Sequence, residues 1–142
     1  PFRAAGFHCG FVTLSALSAL PLRSTEYEAA SPSVVAKVSG RILALSLLDG
    51  PNLRMFRCVE LPSADEREFF DVLAPTFAFA EDELKAAPQV LRLCGMTNLP
   101  QQIRQHWSEE LNLPLSDVRS QFGAVTAHNA GLLGYLEGLE NN

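Results

Sequence analysis

The chain of 142 residues is 47% hydrophobic and 19% charged, which is the composition of an ordinary globular protein with one domain. This composition excludes intrinsic disorder and a small disulfide scaffold, and no apolar run reaches the ~18 residues of a membrane span. A net charge of −5 without a basic cluster argues against a nucleic-acid partner, because affinity for phosphate backbones rests on lysine and arginine. Since the chain begins at Pro1 without an initiator methionine, we expect a fragment or a processed product.

The N-terminal part of the sequence predicts one short helix and a linker. Leucines recur there at helical spacing, Thr13 is the predicted N-cap, and Pro21 ends the helix. The polar stretch that follows has the composition of a loop. We therefore divide the chain into an N-terminal helix with its linker, residues 1–33, and a lobe, residues 34–142.

After the linker, the sequence contains three apolar runs separated by short turns. The first two runs are joined by Ser39 and Gly40, and a dense turn signal, Asp49 to Asn52, joins the last two. Such spacing predicts an antiparallel meander. Its strands are Val34–Val38, Ile42–Leu48 and Leu53–Val59.

A long helical pattern follows the meander. Ser63 and Glu66 have the spacing of a capping box, which predicts the start of the helix. Pro75 lies inside the pattern, so we expect either a kink or two abutting helices. One apolar stripe is predicted from Phe69, Leu73, Phe77, Ala80 and Leu84.

The remaining chain predicts two further strand and helix pairs. These are a strand from Gln89 to Leu93, a helix capped by Thr97 or Asn98, a strand from Leu115 to Arg119, and a helix from Ala127 to Leu139. The whole order is β-β-β-α-β-α-β-α. It predicts an α/β lobe of the ribonuclease H-like or actin-like type, with a mixed five-stranded sheet and helices on both faces.

The sequence gives no pattern for a metal site or a catalytic nucleophile. His8 and Cys9 are adjacent, whereas His106 and His128 stand apart, and neither C-x-x-C nor H-x-x-x-H occurs. Cys94 follows an apolar strand and is predicted to be a packed thiol, since no catalytic context surrounds it. We expect all three cysteines to be reduced and buried, as in a cytoplasmic protein.

A glycine turn between the fourth strand and the next helix has the position of a phosphate-binding turn. This turn contains only one glycine and no following lysine, so a simple βα turn that needs one glycine is the structural alternative. The candidate nucleotide-binding residues are this turn and the glycine of the first hairpin, namely Gly40, Gly95, Met96 and Thr97.

Five segments of the sequence carry a family resemblance: GFHCGFVTLSALSAL, LAPTFAFAEDEL, APQVLRLCG, LNLPLSDVRSQFG and HNAGLLGYLEG. In this order they resemble the C-terminal half of PilM-type proteins, the actin-like assembly proteins of type IV pili and type II secretion. The resemblance implies a second ribonuclease H-like lobe in which the turn at Gly95 occupies the place of the adenosine-side glycine motif. It also implies a cytoplasmic location at the inner membrane, without direct insertion, and a partner that is the cytoplasmic tail of an inner-membrane assembly protein.

Departures from the family pattern decide the predicted activity. We expect the first lobe with its phosphate loop to be absent, and Lys37 stands at about the position of the acid in the second phosphate loop. Met96 or Thr97 stands where a second glycine is common. We therefore expect no ATP hydrolysis and no cofactor, because ATP and Mg²⁺ would require the missing first lobe.

These observations favour a non-catalytic actin-like scaffold of a pilus or secretion platform that acts through protein contacts. The alternatives are the nucleotide-binding C-terminal lobe of a two-lobed actin-like ATPase, and a stand-alone ribonuclease H-like domain with another binding role. Without a first lobe, one face would be uncovered, and an uncovered apolar face favours a homodimer.

Overall fold

The computed structural model has the predicted order of strands and helices. It describes residues 13–22, 31–63, 66–96 and 98–140, together with Ala4 and Gly6. The helices are α1 (Ser15–Ser18), α2 (Glu66–Leu84), α3 (Gln101–Leu111) and α4 (Ala130–Glu140). The strands are β1 (Ser33–Ser39), β2 (Ile42–Asp49), β3 (Asn52–Glu60), β4 (Val90–Cys94) and β5 (Leu115–Asp117).

The five strands form one mixed sheet in the order β3-β2-β1-β4-β5. The meander is antiparallel, with Ala36 of β1 opposite Leu45 of β2 and Leu45 opposite Arg57 of β3. β4 runs parallel to β1 and β5 runs parallel to β4, because α2 and α3 return the chain to the same end of the sheet. The predicted mixed sheet is thus confirmed, and β1 lies at its centre.

The larger core lies on the sheet face that α2 and α3 cover. Alternate residues of β1 and β2 point to this face, where they meet the predicted stripe of α2. The Trp107 side chain of α3 is 1% exposed, and its ring centroid lies 6.1 Å from that of Phe69. The α2 residues in this core are Phe69, Leu73, Phe77 and Ala80, and Leu84 is partly buried against it.

A smaller core covers the opposite face of the sheet. There Val35 and Cys94 pack with Ala19, which follows α1, and with Leu133 of α4. The two helices approach closely because Gly134 has no side chain; a Cβ at Gly134 would collide with the carbonyl oxygen of Ser18. Helices therefore cover both faces, as predicted. The domain boundary between residues 33 and 34 stays a prediction.

The predicted N-terminal capping residues of α1 and α3 are wrong. Leu14, and not Thr13, is the N-cap of α1, and its side chain makes no capping hydrogen bond. α3 begins at Gln101 after Pro100, so Asn98 does not cap it, and Thr97 lies outside the described residues. Pro100 is the N-cap, with a φ of −56° and a ψ of 144°, and makes no side-chain capping hydrogen bond.

The last helix also begins later than predicted, at Ala130 and not at Ala127. Thr126 and Asn129, just before this helix, are joined by reciprocal hydrogen bonds. The backbone N–H of Thr126 donates to Asn129 Oδ1 at 2.7 Å, and the N–H of Asn129 donates to Thr126 Oγ1 at 3.3 Å. This pairing has the pattern of a capping box, with Thr126 at the N-cap, and the N–H of Ala130 donates to the Thr126 carbonyl at 3.1 Å as an i→i−4 bond, so the residues before Ala130 form the irregular first turn of the helix.

α2 is one helix that contains Pro75, so of the two predicted alternatives, a kink or two abutting helices, the second is excluded. Pro75 lies on the exposed side, and the next residue, Thr76, donates its hydroxyl to the Val72 carbonyl at 2.8 Å. The predicted capping box rests on a Glu66 side chain that lies outside the described residues. Instead, Glu68 Oε2 accepts a hydrogen bond of 2.9 Å from the N–H of Ser63.

Smaller differences concern β5 and one cysteine. β5 ends at Asp117, two residues before its predicted end, and the last bond of its ladder is donated by the N–H of Val118 to the Leu93 carbonyl at 3.0 Å. Cys94 is buried as expected, whereas Cys58 is exposed on β3, which corrects the prediction that it is buried. Cys9 lies outside the described residues. Among the helices of the described ranges, none has the length and apolarity that crossing a bilayer requires.

Candidate functional site

The candidate site lies where β1 and β4 end side by side. Lys37 of β1 and Cys94 of β4 are opposite each other in the parallel register. The hairpin after β1, the turn after β4 and the loop before α4 converge there. In open α/β sheets this is the end at which ligands bind, just beyond the carboxyl ends of parallel strands.

Lys37 is a buried cation at this end of the sheet, with 4% of its surface exposed. Its Nζ donates to Ser39 Oγ at 2.5 Å and to the carbonyl oxygen of Ala127 at 3.3 Å. A buried ammonium needs such acceptors, because desolvation without hydrogen bonds would cost several kcal/mol. Lys37 therefore ties β1 to the loop that precedes α4, across 90 residues of sequence.

Gly95 occupies a backbone conformation and a space that only glycine fits. Its φ is +75°, in the left-handed region. A Cβ at this position would lie 2.6 Å from both the Cα and the nitrogen of Ala127. The glycine is thus required by the close approach of the protein's own backbone, which occupies the space beside the turn.

The other predicted nucleotide-binding residues are not gathered into one cradle. Gly40 has a φ of +59° in the β1–β2 hairpin, and a Cβ there would meet nothing within 4 Å. The Met96 side chain is buried in the larger core, and Thr97 lies outside the described residues. Of the residues at this end of the sheet, Gly95 and Lys37 both contact the backbone of Ala127, whereas the side chain of Met96 points into the protein.

The Cys94 thiol beside this turn is held in its neutral form. Burial raises the pKa of Cys94 from 9.0 to about 11, and the nearby Lys37 ammonium offsets this rise only in part. A thiol of such high pKa supplies little thiolate at neutral pH, so Cys94 is a packing residue, as the sequence predicts.

Arg104 supports the turn and is not indicated by any sequence motif. Its Nη2 donates to Asp117 Oδ1 at 2.9 Å and to the Met96 carbonyl at 3.2 Å, and its Nε donates to the Leu99 carbonyl at 3.3 Å. One side chain on α3 thereby fixes the segment after Gly95 to the end of β5. The only signal in the sequence is an arginine in the first turn of a predicted helix.

Within the described ranges, no group of three or more His, Cys, Asp or Glu side chains could hold a metal ion. His106 is exposed and stacks on Phe70 with ring centroids 6.1 Å apart, and His128 is exposed in the loop before α4. The site as described offers two cations that are hydrogen-bonded within the protein, Lys37 and Arg104, together with backbone groups and a neutral thiol.

Comparison with known proteins finds similarity in solved structures. No protein-family model matches the chain, and no curated protein sequence matches it. A chain in a solved PilM-PilN type IV pilus biogenesis complex matches with a TM-score of 0.66 and 17% sequence identity. The alignment covers 96% of this chain and 55% of that chain, so this chain spans about half the length of the solved one. The resemblance to PilM-type proteins that the sequence indicates is therefore confirmed at the level of the fold.

Proposed function

We propose that this chain is a lobe of an actin-like scaffold in a type IV pilus or type II secretion assembly platform, with a ribonuclease H-like topology. Three features support the proposal. The sheet order and the helices on both faces are those expected for such a lobe, the matched structure is a pilus biogenesis complex, and the sequence segments that resemble PilM-type proteins lie along most of the chain.

The scaffold acts through protein contacts and does not hydrolyse ATP. Lys37 is the observation that carries this part of the proposal. An acid in its place would engage a metal–phosphate assembly, whereas the Lys37 ammonium is buried and bonded to Ser39 and Ala127. A cation tied to the protein's own carbonyl cannot replace a carboxylate in holding Mg²⁺.

The partner is a protein of the assembly platform. The matched structure is a complex of two pilus proteins, and the described part of this chain offers exposed apolar side chains on several elements. We infer that the partner is the cytoplasmic tail of an inner-membrane assembly protein, and that this lobe lies in the cytoplasm at the inner membrane.

A nucleotide-binding lobe of a two-lobed ATPase is the second candidate, and the Gly95 turn is the observation that favours it. The turn lies beyond the carboxyl end of β4, the position of ligand sites in related sheets. Against it stands the backbone of Ala127, which occupies the space where a Cβ of residue 95 would lie.

Genetic complementation tests the assembly role. The gene is deleted in the source organism, and the deletion strain is complemented with a plasmid copy of the wild-type gene or of the Lys37→Met variant. Surface pili and secreted protein are then quantified in the deletion strain and in both complemented strains. The proposal expects loss of pili or secretion in the deletion strain, and rescue by both copies at matched protein levels. Normal pili and secretion in the deletion strain would contradict the assembly role. Failure of Lys37→Met at normal abundance would contradict the scaffold mechanism.

A further inference from the structure

β3 forms one edge of the sheet, and its outer edge is open within the described chain. The strand spans Asn52–Glu60 and pairs only with β2 in the order of the described sheet. An edge strand of this length presents a row of backbone N–H and C=O groups that another strand can bind. From Met55 to Glu60 the pairing with β2 is regular, so this stretch is a straight template.

A β-bulge at the start of β3 shapes the surface beside that edge. Met55 lies opposite Leu47, but Leu53 lies opposite Leu48, so Arg54 is one residue more than its partner strand has. In a regular strand two successive side chains point to opposite faces, whereas a bulge re-aims one of them. Leu53 and Arg54 accordingly line the same groove.

The groove lies between β3 and the C-terminal part of α2 and has a volume of about 280 Å³. Two large apolar side chains of its wall are partly open to solvent, since Leu53 is 43% and Phe79 is 44% exposed. The lining consists of Leu47, Leu53, Arg54, Phe79, Glu83 and Leu84. An edge strand beside a groove between sheet and helix is the geometry in which a peptide adds as a strand and inserts a side chain.

The charge along β3 indicates the chemistry of the added strand. Arg54 and Arg57 are exposed, and neither forms an ion pair with any residue that the structure describes. Glu83 also lines the groove, so among these three side chains positive charge exceeds negative by one. Two copies of β3 paired with each other would place these arginines of both copies along one ribbon, and like charges across a strand pair are destabilising. An acidic segment of a different protein fits this edge better than a second copy.

We propose that the outer edge of β3 binds an extended, acidic segment of a partner protein as a sixth strand. One apolar side chain of that segment fills the groove of Leu53 and Phe79, and its carboxylates face Arg54 and Arg57. The backbone of Met55 to Glu60 supplies the hydrogen bonds. This site is independent of the proposed role in pilus or secretion assembly, since it rests on the edge, the bulge and the charges alone.

The test uses a fluorescein-labelled synthetic peptide about ten residues long, which matches a strand of this size. One face of the peptide carries a leucine followed by glutamates two and four residues later, and the other face carries threonines, because the groove and the two arginines lie on the same face of the sheet. Binding to the full protein is measured by fluorescence anisotropy. We expect saturable binding that weakens about fivefold or more in Phe79→Ser, because an apolar anchor is lost. Phe122→Ser is the matched control, since Phe122 is 41% exposed but lies outside the groove. A double variant, Arg54→Gln with Arg57→Gln, should weaken binding and reduce its dependence on salt.

A second peptide distinguishes strand addition from nonspecific hydrophobic binding. It has the same sequence with N-methyl groups on alternate residues, which removes the N–H donors of one edge, and we expect it not to bind. In the free protein, half of the Met55 to Glu60 amides should exchange with solvent quickly, and the unmodified peptide should protect them.

Four results would overturn the proposal. They are no saturable binding of the peptide, equal affinity for its N-methylated form, protection of the outer-edge amides before peptide is added, and a dimer in light scattering that Phe79→Ser dissociates. The third result would mean that a segment of the chain itself occupies the edge, and the fourth that a second copy does.

Discussion

The carboxyl ends of β1 and β4 and the outer edge of β3 are both places where an α/β protein can bind a partner, yet they are built in opposite ways. At the first, Lys37 bonds the Ala127 carbonyl and the backbone of Ala127 closes on Gly95. At the second, backbone groups and the side chains of Leu53 and Phe79 are exposed. The protein's own groups therefore occupy the ends of β1 and β4, where related folds bind ligands, whereas the outer edge of β3 is open within the described chain.

This difference indicates where interaction takes place. A site that is satisfied by the protein's own groups gains little from a ligand, because the ligand must first displace existing hydrogen bonds. An open edge has hydrogen bonds still to form and exposed apolar surface still to bury. The comparison therefore favours binding of a protein segment over binding of a phosphate.

The largest predicted effect is on the filled site. Gly95→Ala combines a left-handed φ with a collision against the Ala127 backbone, so we expect it to lower the free energy of unfolding by about 3–5 kcal/mol. Gly40→Ala shares the left-handed φ but meets no atom within 4 Å, and should cost only about 1 kcal/mol. Urea unfolding of both variants measures the contrast. Equal losses would show that the space beside Gly95 is not filled.

Substitution of Lys37, the buried cation on β1, tests the same site. Lys37→Met removes the two hydrogen bonds of Nζ and should cost about 1 kcal/mol. Lys37→Asp, which restores an acid, buries a carboxylate near the Ala127 carbonyl and should cost about 3 kcal/mol. The measurement is chemical denaturation at neutral pH. An aspartate variant as stable as the methionine variant would contradict the described surroundings of Lys37.

The Cys94 thiol gives a pH-dependent effect of intermediate size. Its pKa is raised from 9.0 to about 11, so between these pH values the unfolded chain loses a proton that the folded chain keeps. Stability should therefore fall by about 2–3 kcal/mol as the pH rises through this range. Cys94→Ala should lack this part of the fall, which denaturation curves at several pH values would reveal. Parallel pH profiles for the two proteins would contradict burial of the thiol.

The smallest stability effects are expected at the open edge. Phe79→Ser and Phe122→Ser replace side chains that are 44% and 41% exposed, so each should change the free energy of unfolding by only about 0.5 kcal/mol. Thermal unfolding measures both. A loss several times larger in Phe79→Ser would show that Phe79 supports the fold, and its use as a binding probe would then fail.

The sequence predicts the sheet well because the signals for it are local. The meander follows from β-branched runs bounded by Gly40 and by the turn at Asp49 to Asn52, and all five strands lie within a few residues of their predicted positions. Helix starts are less predictable. Thr126 and Asn129 form a capping box next to the predicted start, yet the regular helix α4 begins only at Ala130.

The details of both surfaces depend on contacts between distant residues, which local patterns do not contain. From the sequence alone, Gly95 fits either a phosphate-binding turn or a plain turn. Only the structure shows that the backbone of Ala127, more than thirty positions later in the chain, packs against it. The hydrogen bond from Lys37 to Ala127 spans 90 residues. The bulge at Arg54 depends on how β3 pairs with β2, and an alternating pattern alone gives no sign of it.

Titration of Mg-ATP into the full-length gene product by isothermal calorimetry tests the central claim most directly, with Lys37→Met measured alongside. Our account predicts no saturable heat at concentrations up to about 1 mM, where a binding free energy of about −4 kcal/mol would already register. Saturable binding with a micromolar Kd would contradict it. The end of β1 and β4 would then be a working nucleotide site.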